Sequence, residues 1–224
     1  MKGFLMKYTT IVFDCDGTLL DTITDLMNAV NHALGLHNHP LRSVNQVKSA
    51  LGNGVTHLVR HSLLPHTAED VVSTVLADFK DYYNNHLQDN TAPYEGILPL
   101  LDTLIEENYK IAIVSNKIQD AITPLNKNYF GDRIPVAIGE RPNLQRKPAP
   151  HMVWEALKEI GSTAKESIYV GDSEVDIETA KNSGLLCIGV TWGFRTEELH
   201  KTLGVVHIAR EPKDILSIIR KLNQ

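Results

Sequence analysis

An α/β fold, with a parallel sheet, helices between its strands and a helical segment inserted after the first strand, is what this sequence predicts. Three observations carry that expectation. Short apolar, largely β-branched runs recur at Ile11-Val12-Phe13, Ile111-Ala112-Ile113-Val114, Ile168-Tyr169-Val170 and Cys187-Ile188-Gly189-Val190, and continuous runs of this kind suit strands buried on both faces. Helical spacing lies between them: Val153, Leu157 and Ile160 recur at steps of three and four, and Val175 to Ala180 forms a second candidate. Strand alternating with helix builds a parallel sheet. From Ile23 to about Leu87 that rhythm breaks, because no convincing strand run is present.

Taken in order, the first strand run ends at Phe13 and is followed by a helix with Ile23, Leu26, Met27, Val30 and Leu34 on one face. Asp21 and Thr22 stand directly before it, where a short polar side chain caps a helix N-terminus. A second amphipathic segment runs from about Val55 to Leu64 and a third from about Ala68 to Tyr83, with Pro65 between them. Three or four such helices can pack as a small lobe. Turn formers cluster at Asp89 to Pro93, ahead of a helix stripe of Ile97, Leu100, Leu101, Leu104 and Ile105. The expected division is a core of residues 1–21 and 90–224 with a helical lobe of residues 22–89.

Composition bounds the function. The 224 residues are 42% hydrophobic and 22% charged, with a net charge of −5, as in ordinary globular proteins. Lysine and arginine form no run that would mark a nucleic-acid or anionic-membrane surface. No apolar run approaches the roughly 20 residues that cross a bilayer, and Met1 to Thr10 lacks the apolar segment of a signal peptide. Cys15 and Cys187 are too few for a disulfide framework and have no zinc-type spacing. A cytoplasmic protein with no nucleic-acid or membrane partner is the expectation; no pattern specifies an oligomeric state.

In an open parallel sheet the ligand site lies beyond the carboxyl ends of the strands. There the sequence reads Asp14-Cys15-Asp16-Gly17-Thr18, then Ser115-Asn116-Lys117, then Gly171-Asp172 followed by Asp176, with Lys147-Pro148 ahead of a helix. Several carboxylates in one crevice repel, by about 4 kcal/mol for a pair 4 Å apart at an effective dielectric near 20. A pocket of that kind suits a hard divalent cation such as Mg²⁺, which takes carboxylates, waters and a phosphate oxygen. Asp14 and Asp16, two apart on an extended segment, can point the same way, while Cys15 between them points into the core.

These four motifs, in this order, resemble those of the haloacid dehalogenase superfamily: DxDGT, a Ser or Thr after the second strand, a Lys ahead of a helix, and GDxxxD. The resemblance spans the core and implies a Rossmann-like parallel sheet with a helical cap, and a Mg²⁺-dependent phosphatase acting on a small phosphorylated metabolite. It implies Asp14 as nucleophile and Asp16 as general acid and base. Asp172 would bind the metal together with Asp14 and the Asp16 main-chain carbonyl, and Asp176 would support the metal ligands. Ser115 and Lys147 would hold the phosphoryl group and orient the nucleophile, with Gly17, Thr18 and Asn116 as further phosphate donors.

The Leu51-Gly52-Asn53-Gly54-Val55 turn is similar to the cap turn of phosphoglycolate phosphatases, which makes phosphoglycolate the first expected substrate. Pyrophosphate, sugar or nucleotide phosphates and a β-phosphoglucomutase-like phosphotransfer stay open. A dehalogenase would need neither Asp16 nor the GDxxxD acids. A phosphonatase would need a cap lysine, for which only Lys48 offers itself, and a non-catalytic module would not require all of the core motif residues. His57 and His61 have the i, i+4 spacing of a zinc clamp, but no third ligand accompanies them. Trp192, Phe194 and Arg195 are expected to pack beneath a loop rather than to act in the site.

Overall fold

The computed structural model describes residues 6–224; residues 1–5, part of the stretch read above as lacking a leader, lie outside the described residues. Along the chain come β1 (Thr10–Phe13), β2 (Leu20–Asp21), α1 (Ile23–Leu36), α2 (Val44–Ala50), α3 (Gly54–Ser62), α4 (Glu69–Asn85), β3 (Ala92–Pro93) and α5 (Ile97–Glu106). Then follow β4 (Lys110–Ile118), α6 (Gln119–Phe130), β5 (Val136–Glu140), α7 (His151–Glu159), β6 (Ser167–Gly171), α8 (Glu174–Ser183), β7 (Leu186–Val190), α9 (Glu197–Thr202), β8 (His207–Ala209) and α10 (Pro212–Leu222). Two compact units result: the residues up to Leu19 with Pro93–Gln224, and Leu20–Ala92.

The first unit is an α/β sheet of six parallel strands in the order β5-β4-β1-β6-β7-β8. Ile11, Val12 and Phe13 are wholly buried, which a central strand covered on both faces requires. Phe13 registers with Ile113 on one side and Val170 on the other, so the chain leaves all three strands at the same edge of the sheet. On one face, Met152, Val153, Ala156 and Leu157 of α7 join Val12, Ala112, Val114, Val136, Ile138 and Tyr169 in a single cluster. Along α5, Ile97, Leu100, Leu101 and Leu104 are buried, whereas Ile105, counted in the same stripe from sequence, is 42% exposed.

Two strands were not expected from sequence. Val136–Glu140 has three apolar residues before Gly139, too short a run to register, and His207–Ala209 is a three-residue edge strand that opens on a polar residue. The second expected strand is also longer. Between the pairs Val114↔Ile138 and Ile118↔Glu140, β4 carries Ser115, Asn116 and Lys117 against Gly139 alone in β5. This bulge, a feature common next to functional sites, holds one of the four motifs. A Cβ on Gly139 would lie 2.8 Å from the Lys117 carbonyl oxygen.

The second unit has four helices and the short β2-β3 ribbon. Leu26, Ala29, Val30, Ala33 and Leu34 of α1 and Val72, Val75, Phe79 and Tyr83 of α4 form its buried face, each at helical spacing. The helix without an apolar stripe long enough to read, α2, starts at a capping box of Ser43 and Gln46. Thr22 occupies the N-cap of α1 but its hydroxyl makes no capping bond; the Asp21 carboxylate accepts from Ile23 N–H instead, at 3.3 Å. Asp25, 2% exposed, accepts from the main-chain and side-chain N–H groups of Asn90 and from the N–H and hydroxyl of Thr91, at 2.8–3.0 Å. Gly52 and Gly54 both take left-handed backbone at the turn before α3. His57 and His61 stack at 3.7 Å, each donating Nδ1–H to a main-chain carbonyl.

Candidate active site

The parallel register delivers the functional side chains to one edge of the sheet. Asp14 is the first residue beyond β1, its N–H held by the Val170 carbonyl at 2.8 Å. Lys147, before α7, reaches it: Nζ lies 2.6 Å from Asp14 Oδ1, 2.7 Å from Asp176 Oδ1 and 3.1 Å from the Tyr169 hydroxyl. An ammonium has three donors, and all three are engaged. Asp176 is fixed twice over, because its Oδ2 also accepts from the N–H and hydroxyl of Ser173, completing the capping box of α8.

Asp172 is the first residue beyond β6 and turns its carboxylate toward the same point. Single oxygens of Asp14, Asp172 and Asp176 lie within 4.8 Å of one another, all buried. Asp172 Oδ2 accepts from Phe194 N–H at 2.6 Å, and its carbonyl accepts from His200 Nε2 at 2.8 Å, so that the proton sits on Nε2. Gly17 (φ +87°) and Gly193 make the approach possible: a Cβ on Gly17 would lie 2.5 Å from Asp172 Oδ2, and one on Gly193 2.2 Å from the Gly17 carbonyl oxygen. Trp192 Nε1–H donates to the Thr18 carbonyl, and Arg195 pairs in a fork with Glu174.

The acidic cluster is electrostatically unbalanced. Burial pushes the Asp14 carboxyl up to about 7, with the Asp176 charge adding and Lys147 opposing. Burial, then the charges of Asp176 and Asp14, drive Asp172 well above the usual carboxylate range. Asp176 goes the other way: burial opposes it, but Lys147 and the Ser173 hydrogen bonds hold its carboxyl below its ordinary value. Burial likewise works against the Lys147 charge, yet Asp14 and Asp176 hold that ammonium well above the usual lysine range. Once ionised, the three carboxylates of Asp14, Asp172 and Asp176 face the single ammonium of Lys147. The surplus of two negative charges, on hard oxygen donors, fits one divalent cation.

Of the residues chosen from sequence, Asp14, Lys147, Asp172 and Asp176 come together in this cluster. Asp16 does not join the acidic trio; its carboxylate pairs with Lys117 at 3.2 Å. Ser115 is buried in the β4 bulge, its hydroxyl accepting from Lys117 N–H. Thr18 is buried with a hydroxyl that has no partner among the described residues. The side-chain amide of Asn116 is spent on Lys147: Nδ2–H donates to the Lys147 carbonyl at 3.0 Å and Oδ1 accepts from its N–H at 2.9 Å.

Sequence reasoning missed four groups. Tyr169 reads from sequence as an apolar strand residue, Lys117 follows Ser115-Asn116 with no role of its own, and Phe194 N–H and His200 Nε2 each reach Asp172 in a contact with a main-chain atom on one side, which no side-chain pattern reveals. Cys15, wholly buried, has its thiol raised by burial. No helix among the described residues is long and apolar enough to cross a membrane.

Comparison with known proteins follows the same lines. A family model described as haloacid dehalogenase-like hydrolase matches residues 11–190. The chain is 30% identical over 206 residues to a phosphoglycolate phosphatase of Pseudomonas syringae pv. syringae, spanning 87% of this chain and 75% of that protein. It is 32% identical over 194 residues to a phosphoglycolate phosphatase of Rhodobacter capsulatus, spanning 84% and 87%. Among solved structures, a candidate phosphoglycolate phosphatase of Lactobacillus delbrueckii subsp. bulgaricus superposes with a TM-score of 0.90 at 34% identity, over 96% of this chain and 99% of that one.

Proposed function

Because this chain belongs to the family of haloacid dehalogenase-like hydrolases and is a phosphatase, we propose that it hydrolyses a small organic phosphomonoester, phosphoglycolate first, through an aspartyl-phosphate on Asp14 with Mg²⁺ as cofactor. The observation that carries this reading is Lys147 Nζ, bonded at once to Asp14 and Asp176 with Asp172 alongside. The substrate follows from the relatives, which are named for phosphoglycolate.

Asp14 and Asp172, with the Asp16 main-chain carbonyl, would hold Mg²⁺, and Asp176 would support them. The cation supplies neutralising charge to the phosphoryl oxygens. Lys147 fixes the Asp14 rotamer and presents positive charge to the same group, with Asn116 locking the Lys147 main chain from behind. Asp14 Oδ attacks phosphorus, and splitting the displacement into two steps lets one carboxylate act as nucleophile and another move protons. Asp16 protonates the leaving oxygen and then takes a proton from the water that releases phosphate. Ser115, Gly17 and Thr18 complete the phosphate donors.

The helical segment, residues 22–89, we assign as the cap that selects the leaving group. The two unpaired cysteines are in keeping with a reducing cytoplasm, and nothing in the charge pattern calls for nucleic acid.

Phosphate release is measured from phosphoglycolate, pyrophosphate, sugar phosphates and nucleotides with and without Mg²⁺. Phosphoglycolate should give the highest kcat/KM, and Asp14→Asn should abolish turnover. Residual turnover in that variant would remove Asp14 from the role.

A further inference from the structure

Lys117 is a second buried cation in the site. It lies in the bulged end of β4, with its side chain 3% exposed and its ammonium 3.2 Å from Asp16 Oδ1. That oxygen is buried and accepts no hydrogen bond, so the contact is an ion pair without hydrogen-bond geometry. The Asp16 side chain is 21% exposed; with Oδ1 covered, the exposure falls on its other atoms. The Lys117 main chain is held on two sides, by its N–H on Ser115 Oγ and by Gly139 against its carbonyl. Lys147 cannot stand in for it, because all three of its donors are engaged with Asp14, Asp176 and Tyr169.

We propose that Lys117 is the positioning residue for Asp16, anchoring one carboxyl oxygen and leaving the other to the reacting ester, and stabilising the carboxylate that Asp16 becomes when it gives up its proton. This rests on Asp16 being the general acid and base. In the first step Asp14 Oδ bonds to phosphorus while the ester P–O bond breaks. The electron pair of that bond goes to the leaving oxygen, which takes the Asp16 proton, giving alcohol, aspartyl-phosphate and an Asp16 carboxylate. The new negative charge arises beside Lys117, and preorganised charge of this kind lowers a barrier without reorganisation. In the second step the carboxylate takes a proton from water as the water oxygen bonds to phosphorus and the bond to Asp14 breaks. Inorganic phosphate leaves, and both aspartates return to their starting forms.

The test is the dependence of kcat/KM on the leaving group, from alkyl phosphates, which need a proton, to p-nitrophenyl phosphate, which does not. A side chain that only supports the fold would lower all of these rates together. Lys117→Met, which keeps the length of the stem, should lose on the order of 10²-fold more on alkyl phosphates than on p-nitrophenyl phosphate, within the range of a general acid. Asp16→Asn should show the same steepening, Lys117→Met should add nothing in the Asp16→Asn background, and Lys117→Arg should restore part of the alkyl activity. If Lys117→Met does not fold, Lys117→Gln is read by the same ratio, which is independent of the fraction folded. An equal loss across leaving groups, or losses that add in the double variant, overturns the proposal while leaving the function intact. A flat leaving-group dependence in Asp16→Asn overturns the general-acid reading, and this inference with it.

Discussion

Replacing Lys147 with Met removes a buried ammonium and keeps most of its volume, so the change is one of charge. The lost contacts are those to Asp14 at 2.6 Å, Asp176 at 2.7 Å and Tyr169 at 3.1 Å. Removing one member of a buried ion pair costs about 3–5 kcal/mol, because its partner stays buried and uncompensated. At about 2–4 °C per kcal/mol for a chain of this size, the metal-free variant should melt about 6–20 °C below wild type at pH 8. The sign with pH follows from Asp14, already raised to about 7 by burial, with Lys147 as a lowering influence. Without the lysine it rises further. A carboxyl whose folded pKa exceeds its unfolded value of about 3.9 costs stability above that value, and the cost disappears as pH falls. At pH 5, Asp14 is therefore protonated in both proteins, and its share of the deficit is gone. The share of Asp176, which Lys147 holds below its ordinary pKa, persists until the pH falls through that lowered value. Calorimetric melts of both proteins at pH 8 and pH 5 measure this. Equal stability at pH 8, or the same deficit at both values, would refute the account of the lysine as the counter-charge of both carboxylates.

If Asp14 and Asp172 hold the metal as proposed, binding must displace the protons that burial keeps on both carboxyls, so the apparent Mg²⁺ affinity should weaken by at least about tenfold per pH unit below about 7; titration calorimetry from pH 5.5 to 8 checks it, and a flat profile would contradict the assignment. Gly193→Ala would set a Cβ 2.2 Å from the Gly17 carbonyl oxygen and 2.5 Å from Asp172 Oδ2. Mg²⁺ affinity should then drop by about 10–100-fold with the circular dichroism spectrum unchanged, and wild-type affinity would show that the loop yields. Asn116→Ala should lower kcat on the order of tenfold, since a displaced Lys147 misorients the nucleophile; steady-state kinetics showing a rise in KM alone would return Asn116 to the substrate.

The sequence exposed what depends on runs and order. Ile11-Val12-Phe13 reads as a doubly covered strand because every residue is apolar, and the acids after it follow from the rule that parallel strands present their ligands at the carboxyl edge. Val136–Glu140 and His207–Ala209 stayed hidden because strands of three to five residues at or near a sheet edge carry too little periodicity to register. The bulge is invisible for a different reason: two extra residues in one strand are defined only against the partner strand, and Ser115-Asn116-Lys117 has no local signature of it. Tyr169 looked apolar because its ring packs in the core while its hydroxyl alone reaches Lys147. Asn116 could be placed near the phosphate from its motif, but the direction of its amide depends on a contact 31 residues away.

The Asp25 clamp ties the beginning of α1 to Asn90 and Thr91, so the entry and exit of the inserted segment are fastened to each other by one carboxylate. A segment whose two ends are joined in this way behaves as a cassette. It can be cut out between the clamp and the flanking β2-β3 ribbon and exchanged for the corresponding stretch of a relative, provided that an acceptor at position 25 and donors at positions 90 and 91 travel with it.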